Sequence, residues 1–411
     1  MKYGLIGEKL GHSFSREIHQ KLGRYDYELR EIPKDGLAAF FLRRDFAGIN
    51  VTIPYKTDVI PFLDGMTERA RAVGAVNTIV NRGGKLFGDN TDVAGLIGLI
   101  QKMRPDLSGL TVLIAGTGGT SRAALAAAAE LGAKKIFRVS RTGREGALTY
   151  EEAYSDHADA GFLINTTPVG MYPHPEGTPV DLSRLPHLSG VVDAIYNPLE
   201  TRLLREARAR GIPAENGLYM LVCQAMRAAE FWTGAAVDDA TTGRIYSELL
   251  REKRNIVLVG MPGSGKTTVG RLLAKRLGRQ LVDTDQLIVS RAGMPIPEIF
   301  QTKGEPFFRD LEGEAVEEAS AGFSRVLSTG GGAILRQSNL IAMKSNGTVI
   351  FLDRPLSDLT PTDDRPLADQ ADKIRALYET RYPLYLAAAD AVVPVSGTPE
   401  ETAQQVWEKL Q

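Results

Sequence analysis

Residues Gly260-Met261-Pro262-Gly263-Ser264-Gly265-Lys266-Thr267 satisfy the pattern G-x-x-x-x-G-K-[ST] and imply phosphate chemistry. Glycines there let backbone amides, from Gly263, Ser264 and Gly265 through Thr268, surround the phosphates of a nucleotide such as ATP. Lys266 neutralises the outer phosphates and the Thr267 hydroxyl offers a coordination place to Mg²⁺. The pattern leaves open a switch, a motor or a kinase; no guanine-selecting N-K-x-D occurs, which counts against a signalling GTPase. A second turn, Gly116-Thr117-Gly118-Gly119-Thr120-Ser121, reads G-x-G-x-x-S, with Ser121 where the dinucleotide fingerprint has a third Gly or Ala. Alone it is as consistent with a plain helix start as with a cofactor site. The next apolar run ends in Ser140-Arg141-Thr142, where an NAD enzyme usually places a carboxylate for the ribose hydroxyl; Arg141 suits the 2′-phosphate of NADP.

Both turns need a strand before them and a helix behind them. Thr111-Val112-Leu113-Ile114-Ala115 and Asn255-Ile256-Val257-Leu258-Val259 are short unbroken apolar runs, as buried parallel strands are. Helix-forming stretches follow at 123–131 and 269–277. The pattern predicts an α/β protein: an N-terminal αβ lobe at 1–103, a Rossmann-like domain at 104–216, and a P-loop domain with a central parallel sheet at 255–411. Residues 217–246 return to the first lobe. The first lobe shows strand-like Gly48-Ile49-Asn50-Val51-Thr52-Ile53 and a helix-like stretch at 67–73. The charged stretch 247–254 reads as a helix or linker, with the boundary near Lys253, and the Pro-rich stretch 168–186 reads as loops.

A chain of 411 residues divides into two or three domains at roughly 100–200 residues each. Lys plus Arg (49) nearly balance Asp plus Glu (50), and aromatic residues make up 7%, which argues against a nucleic acid or an anionic membrane as partner and for small-molecule ligands. Cys223 is the only cysteine, so no intrachain disulfide forms and a reducing, cytoplasmic compartment is expected. No signal peptide and no membrane span are expected. Oligomeric state is not legible.

The first half carries Gly11-His12-Ser13-Phe14-Ser15, Asn50-Val51-Thr52-Ile53-Pro54-Tyr55-Lys56, Gly74-Ala75-Val76-Asn77-Thr78 and Gly88-Asp89-Asn90-Thr91-Asp92. Further on stand Asn165-Thr166-Thr167-Pro168, Asp193-Ala194-Ile195-Tyr196-Asn197-Pro198 and Gly217-Leu218-Tyr219-Met220-Leu221-Val222-Cys223-Gln224. Together these resemble the shikimate dehydrogenase family over about 1–246. The resemblance implies reduction of 3-dehydroshikimate with NADPH and makes Lys56 and Asp92 the catalytic pair. An ammonium beside a carboxylate can supply and recover the proton that a carbonyl oxygen needs when hydride reaches its carbon. It also implies that Ser13 and Ser15 bind the substrate carboxylate and that Thr52, Asn77 and Gln224 hold the ring hydroxyls. Gly116, Gly118, Gly119, Ser140, Arg141, Thr142 and Gly217 fall to the cofactor. Without the resemblance, Ser13 and Ser15 would cap a helix beginning near Arg16, and Lys56 would be a solvated surface charge. The chain has Arg16 where the family commonly has Pro, Gln20 where it has Asn, and Arg144 one position before the usual second basic residue.

The second half carries Asp283-Thr284-Asp285, Gly304-Glu305-Pro306-Phe307-Phe308-Arg309, Ser328-Thr329-Gly330-Gly331-Gly332, Asp364-Arg365-Pro366-Leu367 and Arg381-Tyr382-Pro383-Leu384-Tyr385. In this order they resemble the shikimate kinase family over about 255–411. The resemblance makes Asp283 a Mg²⁺ ligand through water, Asp285 the group that orients and deprotonates the attacking hydroxyl, and Lys266 a catalytic cation. Arg309 and Arg381 would grip the carboxylate, Gly331 and Gly332 would add backbone contacts, and Arg365 would meet phosphates from a mobile lid. Where the family has an arginine over adenine, this chain reads Ser357-Asp358-Leu359-Thr360-Pro361-Thr362.

The combined expectation is one polypeptide for two consecutive reactions, reduction of 3-dehydroshikimate to shikimate and its ATP-dependent phosphorylation to shikimate 3-phosphate. Three rivals stand beside it: a quinate-type NAD enzyme in the first half, against which Arg141 counts; a nucleotide-sensing regulator in the second; and a nucleic-acid-binding protein, which the near-neutral charge and 7% aromatics do not support.

Overall fold

The computed structural model describes residues 1–11, 13–104, 106–360 and 370–410. It forms two compact units, Met1–Leu249 and Leu250–Gln411. The division falls inside the helix Asp239–Lys253. Residues 247–253 are therefore the last turns of a helix and not a separate linker, and the boundary lies slightly before Lys253. No Gly or Pro interrupts these turns, and Ile245 and Leu249 are buried.

The first unit opens with a mixed sheet of β1 (Tyr3–Gly7), β2 (Glu28–Glu31), β3 (Gly48–Val51), β4 (Gly65–Met66), β5 (Thr78–Arg82) and β6 (Lys85–Asp89). Its order is β2-β1-β3-β5-β6-β4. β3 ends at Val51, two residues before the strand-like stretch does, because the chain turns there toward Lys56. The β5–β6 hairpin closes on Gly83-Gly84, both at positive φ (60° and 85°), the twist a two-residue turn requires. This hairpin sets Thr78 level with Asp89, at the end of β6, and Asn77, just before β5, donates its N–H to the Asp89 carbonyl at 3.1 Å.

A parallel sheet follows: β7 (Thr111–Ala115), β8 (Lys135–Ser140), β9 (Leu148–Thr149), β10 (Phe162–Asn165), β11 (Val191–Asp193) and β12 (Ala214–Glu215). The order β12-β11-β10-β7-β8-β9 is doubly wound, and it reverses between β10 and β7. Every residue of β7 and β10 is buried, apolar clusters lying on both faces of the sheet. The chain then returns to the first sheet through the helix Leu218–Thr233, whose Trp232 indole donates to Thr78 Oγ1 at 2.9 Å.

The second unit holds a five-stranded parallel sheet, β13 (Asn255–Val259), β14 (Gln280–Asp283), β15 (Arg325–Ser328), β16 (Gly347–Asp353) and β17 (Ala391–Pro394), ordered β14-β15-β13-β16-β17. β13, buried throughout, lies at its centre and ends in the phosphate loop. Among the described residues no helix is long and apolar enough to cross a membrane.

Candidate active sites

In the first unit Lys56 and Asp92 meet at 2.6 Å, Nζ donating to Oδ2. Different elements hold them. Lys56 stands on the turn after β3, which Tyr55 anchors: its ring is fully buried and its hydroxyl donates to the Ile32 carbonyl at 2.7 Å. Asp92 lies in the first turn of the helix Thr91–Gln101, capped by Asn90, whose side chain accepts from the Asp92 N–H. A helix N-terminus favours a carboxylate there. Asn77 Nδ2 donates to Asp92 Oδ1 at 2.8 Å, while Asn77 Oδ1 accepts the Thr91 N–H at 2.7 Å. Both oxygens of Asp92 are thus engaged.

The pair lines a cavity of about 350 Å³ that Ser13, Ser15, Thr52, Asn77, Gln224 and Gly217 also line. All the acid-site residues expected from sequence converge there. The helix Ser15–Leu22 begins one residue before Arg16, and Ser13 Oγ accepts the Ser15 N–H at 3.2 Å, so the helix-start role of Ser13 and its place in the cavity coexist. Gly217 cannot carry a side chain, because a Cβ would overlap the Ala194 carbonyl.

Two further lining residues, Asn50 and Tyr196, were not singled out from sequence although both sit in quoted motifs. Asn50 Nδ2 donates to Tyr27 at 2.9 Å and contacts His19 Nε2 at 3.2 Å, while its buried Oδ1 has no partner among the described residues. His19 in turn contacts the Tyr25 hydroxyl through Nδ1 at 2.8 Å and stacks on Tyr27 and Trp232. Burial pushes its imidazole down to about 3, so it is neutral.

The dinucleotide-type turn lies at the carboxyl end of β7, next to β10, where a doubly wound sheet binds its ligand. Gly116 has φ 110°, and a Cβ there would come within 2.7 Å of Thr166 Oγ1. Gly118 caps the helix Gly119–Glu130, and side chains at Gly118 or Gly119 would meet nothing, so the helix N-terminus is open. Ser121 is fully buried, its hydroxyl closing the turn onto the Gly118 carbonyl at 2.7 Å, which explains how serine serves at the third position. Ser140 ends β8 and accepts the Gly143 N–H; Arg141 and Thr142 follow, both exposed. At the end of β11, Asp193 is held by Asn165, Thr201 and the Ile195 N–H, and burial outweighs these bonds to raise its carboxyl to about 6.

In the second unit a cavity of about 580 Å³ is lined by Gly263, Gly265, Lys266, Thr267, Thr268, Asp283, Asp285, Arg309, Gly331, Gly332 and Arg381. Ser264, expected at the phosphates, is instead fully buried and does not line the cavity; its N–H bonds to the Met261 carbonyl, which tightens the loop. Lys266 Nζ donates to the Gly260 and Met261 carbonyls at 2.9 Å each. Thr267 Oγ1 donates to Asp283 Oδ2 at 2.8 Å, and Asp283 Oδ1 caps the helix Thr284–Ala292 through the Asp285 and Gln286 N–H groups. One carboxylate therefore ties the phosphate loop to the element carrying Asp285.

Arg309 is expected from sequence to grip a carboxylate. It is buried and already paired: Nη1 with Glu312 Oε2 and Nη2 with Glu305 Oε1, both at 2.8 Å. Glu312, 1% exposed, also lines the cavity, and burial raises its pKa against the pull of Arg309 and Arg381. Its i+3 spacing from Arg309 on one helix was the available sequence signal. Arg381 Nη1 donates to the Gly331 carbonyl at 3.1 Å. Arg365 lies outside the described residues. Among the described residues no group of three or more His, Cys, Asp or Glu could hold a metal ion by itself.

Comparison with known proteins finds a family match in each unit. Residues 5–79 match the shikimate dehydrogenase substrate-binding domain, and residues 262–411 match the shikimate kinase family. A shikimate dehydrogenase (NADP⁺) from Clostridium perfringens is 38% identical over 60% of this chain and 97% of its own length. That from Geobacillus kaustophilus is 41% identical over 61% of this chain and 98% of its own. Among solved structures, a chorismate mutase/shikimate 5-dehydrogenase fusion from Clostridium acetobutylicum covers 60% of this chain and 96% of its own at 38% identity, with TM-score 0.57. A shikimate 5-dehydrogenase from Thermus thermophilus in complex with NADP(H) and shikimate covers 60% and 99% at 31% identity, with TM-score 0.54. The chain therefore belongs to the shikimate dehydrogenase family, and with residues 262–411 matching the shikimate kinase model it is an enzyme that joins an NADP-dependent dehydrogenase and a nucleotide-using kinase domain in one polypeptide.

Proposed function

We propose that the first unit reduces 3-dehydroshikimate to shikimate and that the second phosphorylates shikimate at the hydroxyl so formed. The observation that carries this reading is the 2.6 Å Lys56–Asp92 pair in the wall of a cavity lined by neutral hydroxyl and amide groups. Ser13 and Ser15 orient the ring through its carboxylate, and Thr52, Asn77 and Gln224 through its hydroxyls. Lys56 donates a proton from Nζ to the ketone oxygen, and Asp92 holds the ammonium in line and stabilises its charge.

The residues present fit both nucleotides. The open helix start at Gly118 and Gly119 leaves room for a pyrophosphate, and exposed Arg141 for a 2′-phosphate. The phosphate loop, with glycines at positive φ at 263 and 265 and Lys266 alongside, suits a triphosphate. A Mg²⁺ that keeps most of its waters needs little more than the Thr267 hydroxyl and Asp283 acting through water. When bound, NADPH supplies a hydride and MgATP an activated phosphoryl group. In the second unit Asp285 takes the proton of the attacking hydroxyl, while Arg309, positioned by Glu312 and Glu305, and Arg381 hold the carboxylate.

The test runs two assays on the intact chain, nicotinamide absorbance with 3-dehydroshikimate and NADPH, and ADP release with added shikimate and ATP. Lys56→Ala should abolish NADPH oxidation and leave shikimate-dependent ADP release intact; Lys266→Ala should do the reverse. ADP release that stays negligible with saturating shikimate, while Lys266→Ala alters NADPH oxidation, would establish a regulatory phosphate loop instead.

A further inference from the structure

In the second unit three of the candidate acid-site residues, Asp285, Gly331 and Gly332, lie on one flank of the phosphate loop. β14 ends at Asp283, with Asp285 just beyond, and β15 ends at Ser328, with residues 330–332 just beyond. β13, next to β15, feeds the loop itself, and β16 borders β13 on the opposite side. Directly after β16 comes Arg354, which lines the same cavity as Lys266 and Thr267.

Its side chain is half-buried and reaches the loop, Nη1 donating to the Gly263 carbonyl at 3.2 Å. Its Nε is buried with no hydrogen-bond partner, and no carboxylate among the described residues pairs with it. A guanidinium N–H withdrawn from water with nothing to donate to is unfavourable, and an anion entering the cavity would relieve that. With Nη1 committed to Gly263, the Nε–Nη2 edge remains, and that edge matches two oxygens of a phosphate.

We propose that Arg354 is a nucleotide-binding residue that contacts the polyphosphate from the β16 side of the loop. This rests on residues 260–267 holding a nucleotide. It gives the loop a second cation beside Lys266, one whose planar donors bridge the Gly263 carbonyl and the ligand.

Calorimetric titration of the intact chain with ADP in excess Mg²⁺ tests it, using Arg354→Gln, Arg354→Lys and Lys266→Ala. Glutamine keeps an N–H for the Gly263 carbonyl but no charge. Its ADP dissociation constant should rise about ten-fold, the scale of one hydrogen bond to a charged group, with a shallower salt dependence. Arg354→Lys should retain most of the affinity, and shikimate binding should be unchanged in both. ADP binding by Arg354→Gln within about twofold of the unsubstituted chain would overturn the proposal, as would equal losses in the Gln and Lys variants with an unaltered salt slope, which report loop packing alone. If the unsubstituted chain itself bound no ADP, the phosphate-loop reading would fall first and the proposal with it.

Discussion

Asp92→Asn keeps the shape of the side chain and removes its charge, so it isolates what the carboxylate does for Lys56. In the native site one oxygen accepts from Lys56 Nζ at 2.6 Å and the other from Asn77 Nδ2 at 2.8 Å. An amide has a single carbonyl oxygen; whichever donor it serves, its NH₂ faces the other. Turned toward Asn77, it leaves Lys56 opposite a donor; turned toward Lys56, it loses the tie that fixes it to β5. A hydrogen bond to a charged group contributes about 1.5–3 kcal/mol, and the lower part of that range applies here because the two side chains are 28% and 14% exposed. At about 1.4 kcal/mol per factor of ten, kcat for NADPH oxidation should fall roughly ten- to thirty-fold. Lys56→Met removes the proton donor itself and should lower kcat by about 10²–10⁴. Because the two residues act as a unit, the double variant should match Lys56→Met within about threefold. Nicotinamide absorbance supplies the rates, and shikimate-dependent ADP release from the same preparation is the control for an intact chain. Losses that multiply in the double variant, or a kcat for Asp92→Asn equal to that of the unsubstituted chain, would refute the dyad.

Two other outcomes follow from the geometry. Gly332→Ala would place a Cβ on Arg309 Nη1, which can swing aside only by leaving Glu312; the kinase KM for shikimate should rise about ten-fold while the KM for ATP and the dehydrogenase rate stay put, and an unchanged shikimate KM would separate Arg309 from the acid. His19, whose folded-state pKa is lowered from 6.5 to about 3, stays neutral while the unfolded chain takes up a proton; its stabilising contribution is fully present above pH 6.5 and is lost as pH falls toward 3, at up to about 1.4 kcal/mol per pH unit. Urea unfolding followed through Trp232, which stacks on His19, in a Trp407→Phe background should show that slope, and His19→Gln should remove it; identical slopes would mean that His19 is protonated in the folded protein.

The parts legible in sequence are those where local chemistry dictates residue type. A parallel strand covered on both faces must be apolar throughout, as β7 and β13 are, and a turn that presents its amides to phosphate must contain glycine, as at Gly116 and Gly265. Lys56 and Asp92 carry no such local signature; only the resemblance paired them, and the hairpin of β5 and β6 brings them together. Glu312 and Asn50 escaped because their importance lies in what they face once buried. Glu312 changes the setting of Arg309 by pairing with it, so an incoming carboxylate meets a preorganised Arg309–Glu312–Arg381 group and not two separate charges. Arg354 shows the same limit more sharply. Between Asp353 and Pro355 it reads as a solvated turn residue, and only the pairing of β16 with β13, Phe351 level with Val259, carries it to the phosphate loop. That strand order is set by which apolar surfaces can be buried together, a property of the whole sheet and not of the few residues around Arg354.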